Sequence, residues 1–168
     1  MKKWALILGL LGSLFFSVNT MAADFFDETF GNLQEELETA RDEGKQGIFI
    51  FFHMEECPFC DRMKKTILNQ PEVIAFYKKH FLTYQIDIEG ANQMVDFDGT
   101  EATAQTISEK KYRVRATPVM MIFDLNGQPI VRYTGPTRTQ KEFMLLGQFV
   151  LDGSYKTTSF TRYKRAHK

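Results

Sequence analysis

The chain has 168 residues, one domain's worth, with 25% charged and 43% hydrophobic side chains, which excludes disorder, collagen-like repeats and coiled coil. Twenty-one basic residues balance 21 acidic ones, so no global field recruits nucleic acid or an anionic membrane. Sixteen Phe, six Tyr and one Trp supply bulk for a core, while two cysteines are too few for a disulfide-framework mini-protein.

Lys2 and Lys3 open the chain and an uncharged 15-residue run follows at 4–18, shorter than the roughly 20 residues that span a bilayer. Small residues around Ala22 and Ala23 then precede Asp24. The pattern reads as a secretory signal over residues 1–23, cleaved near Ala22/Ala23, with an uncleaved anchor as the alternative. No Cys lies near the site to carry a lipid. Removal takes away two lysines and no acid, leaving 19 basic and 21 acidic side chains. Export places both cysteines where disulfides persist, and a periplasmic location fits best.

Phe26, Phe30, Leu33, Leu37 and Ala40 recur at three- and four-residue steps, the stripe of an amphipathic helix that ends at Gly44. The continuous apolar run at 48–52 reads as a strand buried on both faces. Cys57-Pro58 resembles a helix start with Pro at the first helical position, and that helix runs to about Leu68. Pro71 begins another, with Val73, Ile74 and Tyr77 inward. Leu82, Tyr84, Ile86 and Ile88 alternate as a second strand. Residues 89–103 are polar and read as a surface insertion, followed by a helix over 104–112.

Pro118 precedes an apolar strand at 119–123, and Asn126-Gly127 signals a hairpin turn returning through 130–133. Phe143, Leu146 and Val150 make the last helix amphipathic. The order α-β-α-α-β-α-β-β-α predicts one α/β domain over 24–154, helices covering a mixed sheet. The tail, 155–168, holds five Lys/Arg and no acid. It reads as a solvated terminus, with a docking patch for an acidic partner as the alternative.

Cys57 and Cys60 stand three apart, where a buried strand ends and a helix begins. Free backbone N–H groups and the helix dipole there favour a thiolate over a thiol on Cys57. Cys60 lies one turn along on the same face, placed to attack a mixed disulfide on Cys57, the arrangement of a nucleophile and a resolving thiol. A zinc site needs two further ligands, and His53, His80 and His167 offer no tight pair. A purely structural disulfide closes too small a loop to stabilise much. Asp96-Phe97-Asp98-Gly99 has the opening of a calcium loop without its later ligands. Met54, Met63, Met120 and Met121 beside two thiols leave copper open, although such methionines usually fill cores.

The strand, the Cys57-Pro58-Phe59-Cys60 motif, its helix and the downstream Thr117-Pro118 before an apolar strand resemble the thioredoxin-fold superfamily. Gly135 after the last strand suits that fold too. Glu55-Glu56-Cys57, the aspartate-rich stretch at 95–99 and Pro71-Glu72-Val73 resemble exported thioredoxin-related proteins of the SoxW type. The resemblance spans essentially the whole chain after residue 23. It implies a thioredoxin-like fold with a central mixed β-sheet flanked by helices. It implies Cys57 and Cys60 as catalytic residues forming a redox-active disulfide, and a cis Thr117-Pro118 facing them. Thr117, Pro118 and Phe59 are then the substrate-binding residues.

Two positions depart from cytosolic thioredoxin: Phe51 stands where that family has a buried acid, and Glu56 replaces the Trp before the first cysteine. Proton transfer at Cys60 must then use another group or water; Glu55 and His53 are candidates, each with an ordinary structural reading beside it. Arg62, Lys64 and Lys65 read as the outer face of the helix.

The resulting expectation is an exported thiol–disulfide oxidoreductase of cell redox homeostasis that reduces protein or small disulfides. No organic cofactor and no metal is implied, and a membrane electron-transfer protein resets the pair. After cleavage the chain is not membrane-embedded. A disulfide-forming oxidase or isomerase of the same fold is one alternative. A non-enzymatic Cu(I) metallochaperone on the cysteine pair is the other.

Overall fold

In the computed structural model, which describes residues 24–167, the apolar run at 48–52 becomes the centre of β1 (Gly47–His53). β1 pairs in parallel with β2 (Phe81–Asp87) and antiparallel with β5 (Val119–Phe123), which pairs antiparallel with β6 (Pro129–Thr134). The sheet order is β2-β1-β5-β6, a mixed sheet as the element pattern predicts. Because side chains alternate across a strand, β1 feeds two cores. Phe49 and Phe51 pack with Met63, Tyr77, Met120 and Phe143 on one face. Ile48, Ile50 and Phe52 pack with Leu33, Leu37, Tyr84 and Phe123 on the other. All five central residues of β1 are 0% exposed, so a strand without polar positions is the physical requirement of its place.

The first face is covered by α2 (Pro58–Met63), α3 (Pro71–His80) and α5 (Gln140–Leu151). α2 continues through a π turn over Lys64–Leu68, ending at the expected residue. Tyr77 of α3 stacks on Phe143 of α5 with ring centroids 4.4 Å apart and donates its hydroxyl to the Phe143 carbonyl at 2.7 Å. Burial pushes that phenol well above its ordinary range. The second face is covered by α1 (Leu33–Asp42) and by the segment following β2.

Four expectations change. The helical stripe begins at Leu33, not Phe26: Gly31 turns with φ +85° and Asn32 caps α1, its side chain accepting from the Gln34 and Glu35 N–H groups. Phe25 is buried instead, Phe26 is half-buried and Phe30 is fully exposed. Residues 89–103 are not a plain surface insertion. They form a hairpin, β3 (Gln93–Val95) and β4 (Glu101–Thr103), that buries Met94, Asp96 and Phe97 over the second core. The helix expected at 104–112 is one turn, α4 (Ala104–Thr106), continued by a π turn over Ile107–Lys111.

Finally, the segment read as a solvated basic terminus folds into a 3-10 turn at Ser154–Lys156 and α6 (Phe160–Ala166). Ser159 caps α6, Tyr163 is buried 5.0 Å from the Phe149 ring, and its hydroxyl donates to Asp152 at 2.5 Å. Among the described residues no helix is long and apolar enough to cross a membrane. The signal expected over residues 1–23 lies outside them.

Candidate active site

The register between β1 and β5 places the site. Phe52 faces Val119, so His53 at the end of β1 and Pro118 before β5 come to the same edge of the sheet. From that edge the chain leaves β1 through Met54 and two exposed glutamates, Glu55 and Glu56, and enters α2 at Cys57. Pro58 occupies the first helical position, where its missing N–H costs nothing.

Cys57 takes the N-cap position, and its Sγ accepts the Cys60 N–H at 3.1 Å. Cys57 and Cys60 are joined as a disulfide, with Sγ atoms 2.00 Å and Cα atoms 5.2 Å apart. Cys57 is 4% exposed and Cys60 1%, whereas Phe59 between them is 57% exposed. One turn of chain thus joins an exposed phenyl ring to a nearly closed sulfur pair.

The Thr117-Pro118 peptide is cis, with Pro118 buried and Thr117 half-buried. The Pro118 carbonyl accepts the Gly135 N–H at 2.9 Å, tying the turn before β5 to the end of β6. The Thr117 hydroxyl is buried without a hydrogen-bond partner among the described residues. Two residues beyond Gly135, the Thr137 carbonyl accepts from the Arg62 guanidinium at 3.0 Å, so α2 is fastened to the turn after β6. Thr137 was not foreseen, because a backbone carbonyl contact leaves no residue-type signal.

Phe51, in the same core as the pair, is fully buried and lies 5.8 Å from the Phe26 ring. Lys64 is not on a purely outer face: its ammonium stands 5.9 Å from the Phe26 centroid and 6.0 Å from that of Phe51. Burial lowers the Lys64 pKa, against the raising influence of Asp61, Asp24 and Asp87. Burial and then the Lys64 charge also hold His53 below its ordinary 6.5, against Asp87 and Asp61. His53 stacks on Phe51 with centroids 6.4 Å apart. It lies two chain positions from the first exposed glutamate, Glu55.

The other candidates separate. Met63 and Met120 share the core that holds the cysteines, but Met121 faces the opposite core, so the four methionines do not converge. The Lys111 ammonium occupies the space between Asp96 and Asp98, binding Asp96 and lying 2.7 Å from Asp98 Oδ2. The side chain of Lys111 thus already supplies the cation that a calcium ion would bring. Among the described residues no group of three or more His, Cys, Asp or Glu side chains converges to hold a metal.

Residues 33–150 match a family model described as "Thioredoxin-like domain". Among solved structures, a thioredoxin-fold protein from Helicobacter pylori superposes with a TM-score of 0.65 at 21% identity, over 85% of this chain and 89% of that one. A putative disulphide-isomerase from Bacteroides thetaiotaomicron gives 0.58 at 21%, over 74% and 89%. The oxidised C-terminal domain of DsbD from Neisseria meningitidis gives 0.52 at 22%, over 73% and 97%. No curated protein matches in sequence. At such identities these structures speak to the fold, which is thioredoxin-like.

Proposed function

This chain belongs to the thioredoxin-like domain family, and on that premise we propose that it is an exported thiol–disulfide oxidoreductase acting mainly as a reductase. The observation that carries the reading is the Cys57–Cys60 disulfide at the start of α2, with the Cys60 N–H aimed at Cys57 Sγ. That N–H and the dipole of the helix start stabilise charge on Cys57 sulfur whenever the pair is reduced.

In the reducing direction the Cys57 thiolate attacks one sulfur of a substrate disulfide. A Cys57–substrate disulfide forms, the substrate S–S bond breaks, and one substrate thiolate leaves. The Cys60 thiolate then attacks Cys57 Sγ, closing the internal disulfide and releasing the second substrate thiolate. Two electrons pass from the pair to the substrate, and the two released thiolates take up protons. A dithiol donor restores the pair by the reverse exchange. Thr117 and Pro118 border the site and align an extended substrate segment, while Phe59 offers it an apolar contact. No organic cofactor takes part in these steps.

The basic start and apolar run at 1–18 support export to the periplasm. In an oxidising compartment a reductase needs electrons from elsewhere, which supports a membrane electron-transfer protein as donor.

The test is the equilibrium potential of the Cys57–Cys60 pair against a thiol buffer, together with disulfide exchange by Cys57→Ala and Cys60→Ala. A potential below about −220 mV and loss of exchange in both variants support the reductase. A potential above about −180 mV makes oxidase or isomerase the function. Full exchange by either variant removes the reading altogether.

A further inference from the structure

The C-terminal segment does more than close the fold. α6 forms one wall of a cleft of about 660 Å³ whose other wall is the first turn of α5 and the residues before it. Tyr133 of β6 and Leu145 of α5 line it as well. Arg138 and Lys141 stand on the α5 side, and Lys164 and Arg165 on the α6 side.

One acid lies in the cleft, Glu142, and it is fully committed. It accepts from Lys164 at 2.5 Å, the Tyr133 hydroxyl at 3.0 Å and the Arg138 backbone N–H at 2.9 Å. Burial would raise its pKa, but Lys164, the Arg138 N–H and the Tyr133 hydroxyl outweigh it and hold Glu142 below its ordinary range. Arg138, Lys141 and Arg165 have no ion-pair partner among the described residues. A chain of zero formal net charge therefore gathers three unneutralised cations around one concavity. Such a focused field attracts an anionic partner.

The position fixes what kind of partner. Arg62, two residues beyond Cys60, holds the Thr137 carbonyl, and the very next residue, Arg138, lines the cleft. The redox helix is thus hydrogen-bonded to the residue that precedes one of the cleft's cations. The cations come from both walls, and an aromatic and an aliphatic side chain line the same cleft. That layout matches an extended chain carrying carboxylates and small apolar side chains, not a single compact anion.

We propose that this cleft docks an acidic segment of the protein that exchanges disulfides at Cys57. The proposal rests on the oxidoreductase reading, and its test separates the two. A labelled, cysteine-free peptide of alternating Asp and Ala is titrated into the oxidised protein by fluorescence anisotropy, beside an Asn/Ala control. At about 20 mM ionic strength the acidic peptide is expected to bind about tenfold tighter, and the advantage to vanish near 0.5 M salt. The variant R138E/K141E/R165E loses the preference, and the milder R138Q/R165Q reduces it.

Equal binding of the two peptides overturns the proposal, as does a preference that survives charge reversal or high salt. Capture by phosphatidylglycerol vesicles without binding of the acidic peptide overturns it in favour of a lipid surface. No exchange chemistry enters this assay. An inert cysteine pair with intact peptide binding defeats only the oxidoreductase reading, and an active pair without binding defeats only the cleft.

Discussion

Cys57 Sγ accepts the backbone N–H of Cys60 across 3.1 Å, so the first cysteine is also the N-cap of its own helix. Serine fills that role well and alanine does not. Against the reduced wild type, Cys57→Ser should keep its unfolding free energy, while Cys57→Ala should lose about 1 kcal/mol. In the reduced protein, iodoacetamide should reach Cys57 before Cys60, followed by peptide mass mapping. Equal losses in both variants, or Cys60 labelled first, would contradict the cap.

His53 is held below its ordinary 6.5 by burial and by Lys64. The unfolded chain therefore binds more protons than the folded one between the folded value and 6.5, and stability rises with pH across that window. It is complete above the window and is lost as pH falls through it. Melting temperatures should drop from about pH 7.5 to about pH 5, and less steeply in His53→Gln. His80, lowered by burial and the neighbouring Lys79 and Lys45, contributes alike to both proteins, so the difference isolates His53. Superimposable profiles would refute this.

Asp96 is fully buried, with the Tyr112 hydroxyl at 2.6 Å and the Lys111 ammonium as its charge partner. Lys111→Met leaves a buried carboxylate without its cation, which should cost about 3 kcal/mol in denaturant unfolding. Adding Asp96→Asn should restore part of that loss, because a neutral amide still accepts from Tyr112. No recovery in the double variant would mean the Lys111 stem, not the charge, is what the fold uses.

Tyr163 anchors α6 through the Phe149 ring and Asp152. Its replacement by Ala should lower the unfolding free energy by about 3 kcal/mol, a figure typical of a lost buried aromatic. Arg162→Ala, one residue earlier and exposed, should change it by less than about 0.5 kcal/mol. Similar effects in the two variants would show that α6 does not pack as described.

Periodicity and punctuation made most of the frame legible. The uninterrupted run at 48–52, Pro58 and Pro71 at first helical positions, and Asn126-Gly127 each admit one local structure, and each adopts it. The placement of the cysteine pair was legible for the same reason: Cys57 falls where a buried strand gives way to a helix. Phe26 and Phe30 misled because they keep helical spacing across Gly31-Asn32, which is itself the stop and cap that moves the start to Leu33. At 89–103 the polar composition hid Met94 and Phe97, two anchors too sparse to show a period, and a buried Asp96 whose partner is 15 positions away. In the tail, charge density outweighed a quieter signal, Ser159 ahead of Phe160 and Tyr163 at a three-residue step. Lys64 and Arg62 looked like surface because their stems are long enough to reach inward from an outer position.

On the proposed oxidoreductase reading, the nearly closed sulfur pair and the exposed Phe59 ring set a condition on what such a protein acts upon. A cysteine 4% exposed is reached along a narrow approach, by a strand or loop thin enough to lie across the ring and the Thr117-Pro118 edge. Disulfides sunk within well-packed clients are sterically out of range, whereas those on loops or in chains caught before completion present the needed slender segment. On that reading, discrimination between finished and unfinished proteins lies in access, ahead of any difference in sulfur chemistry.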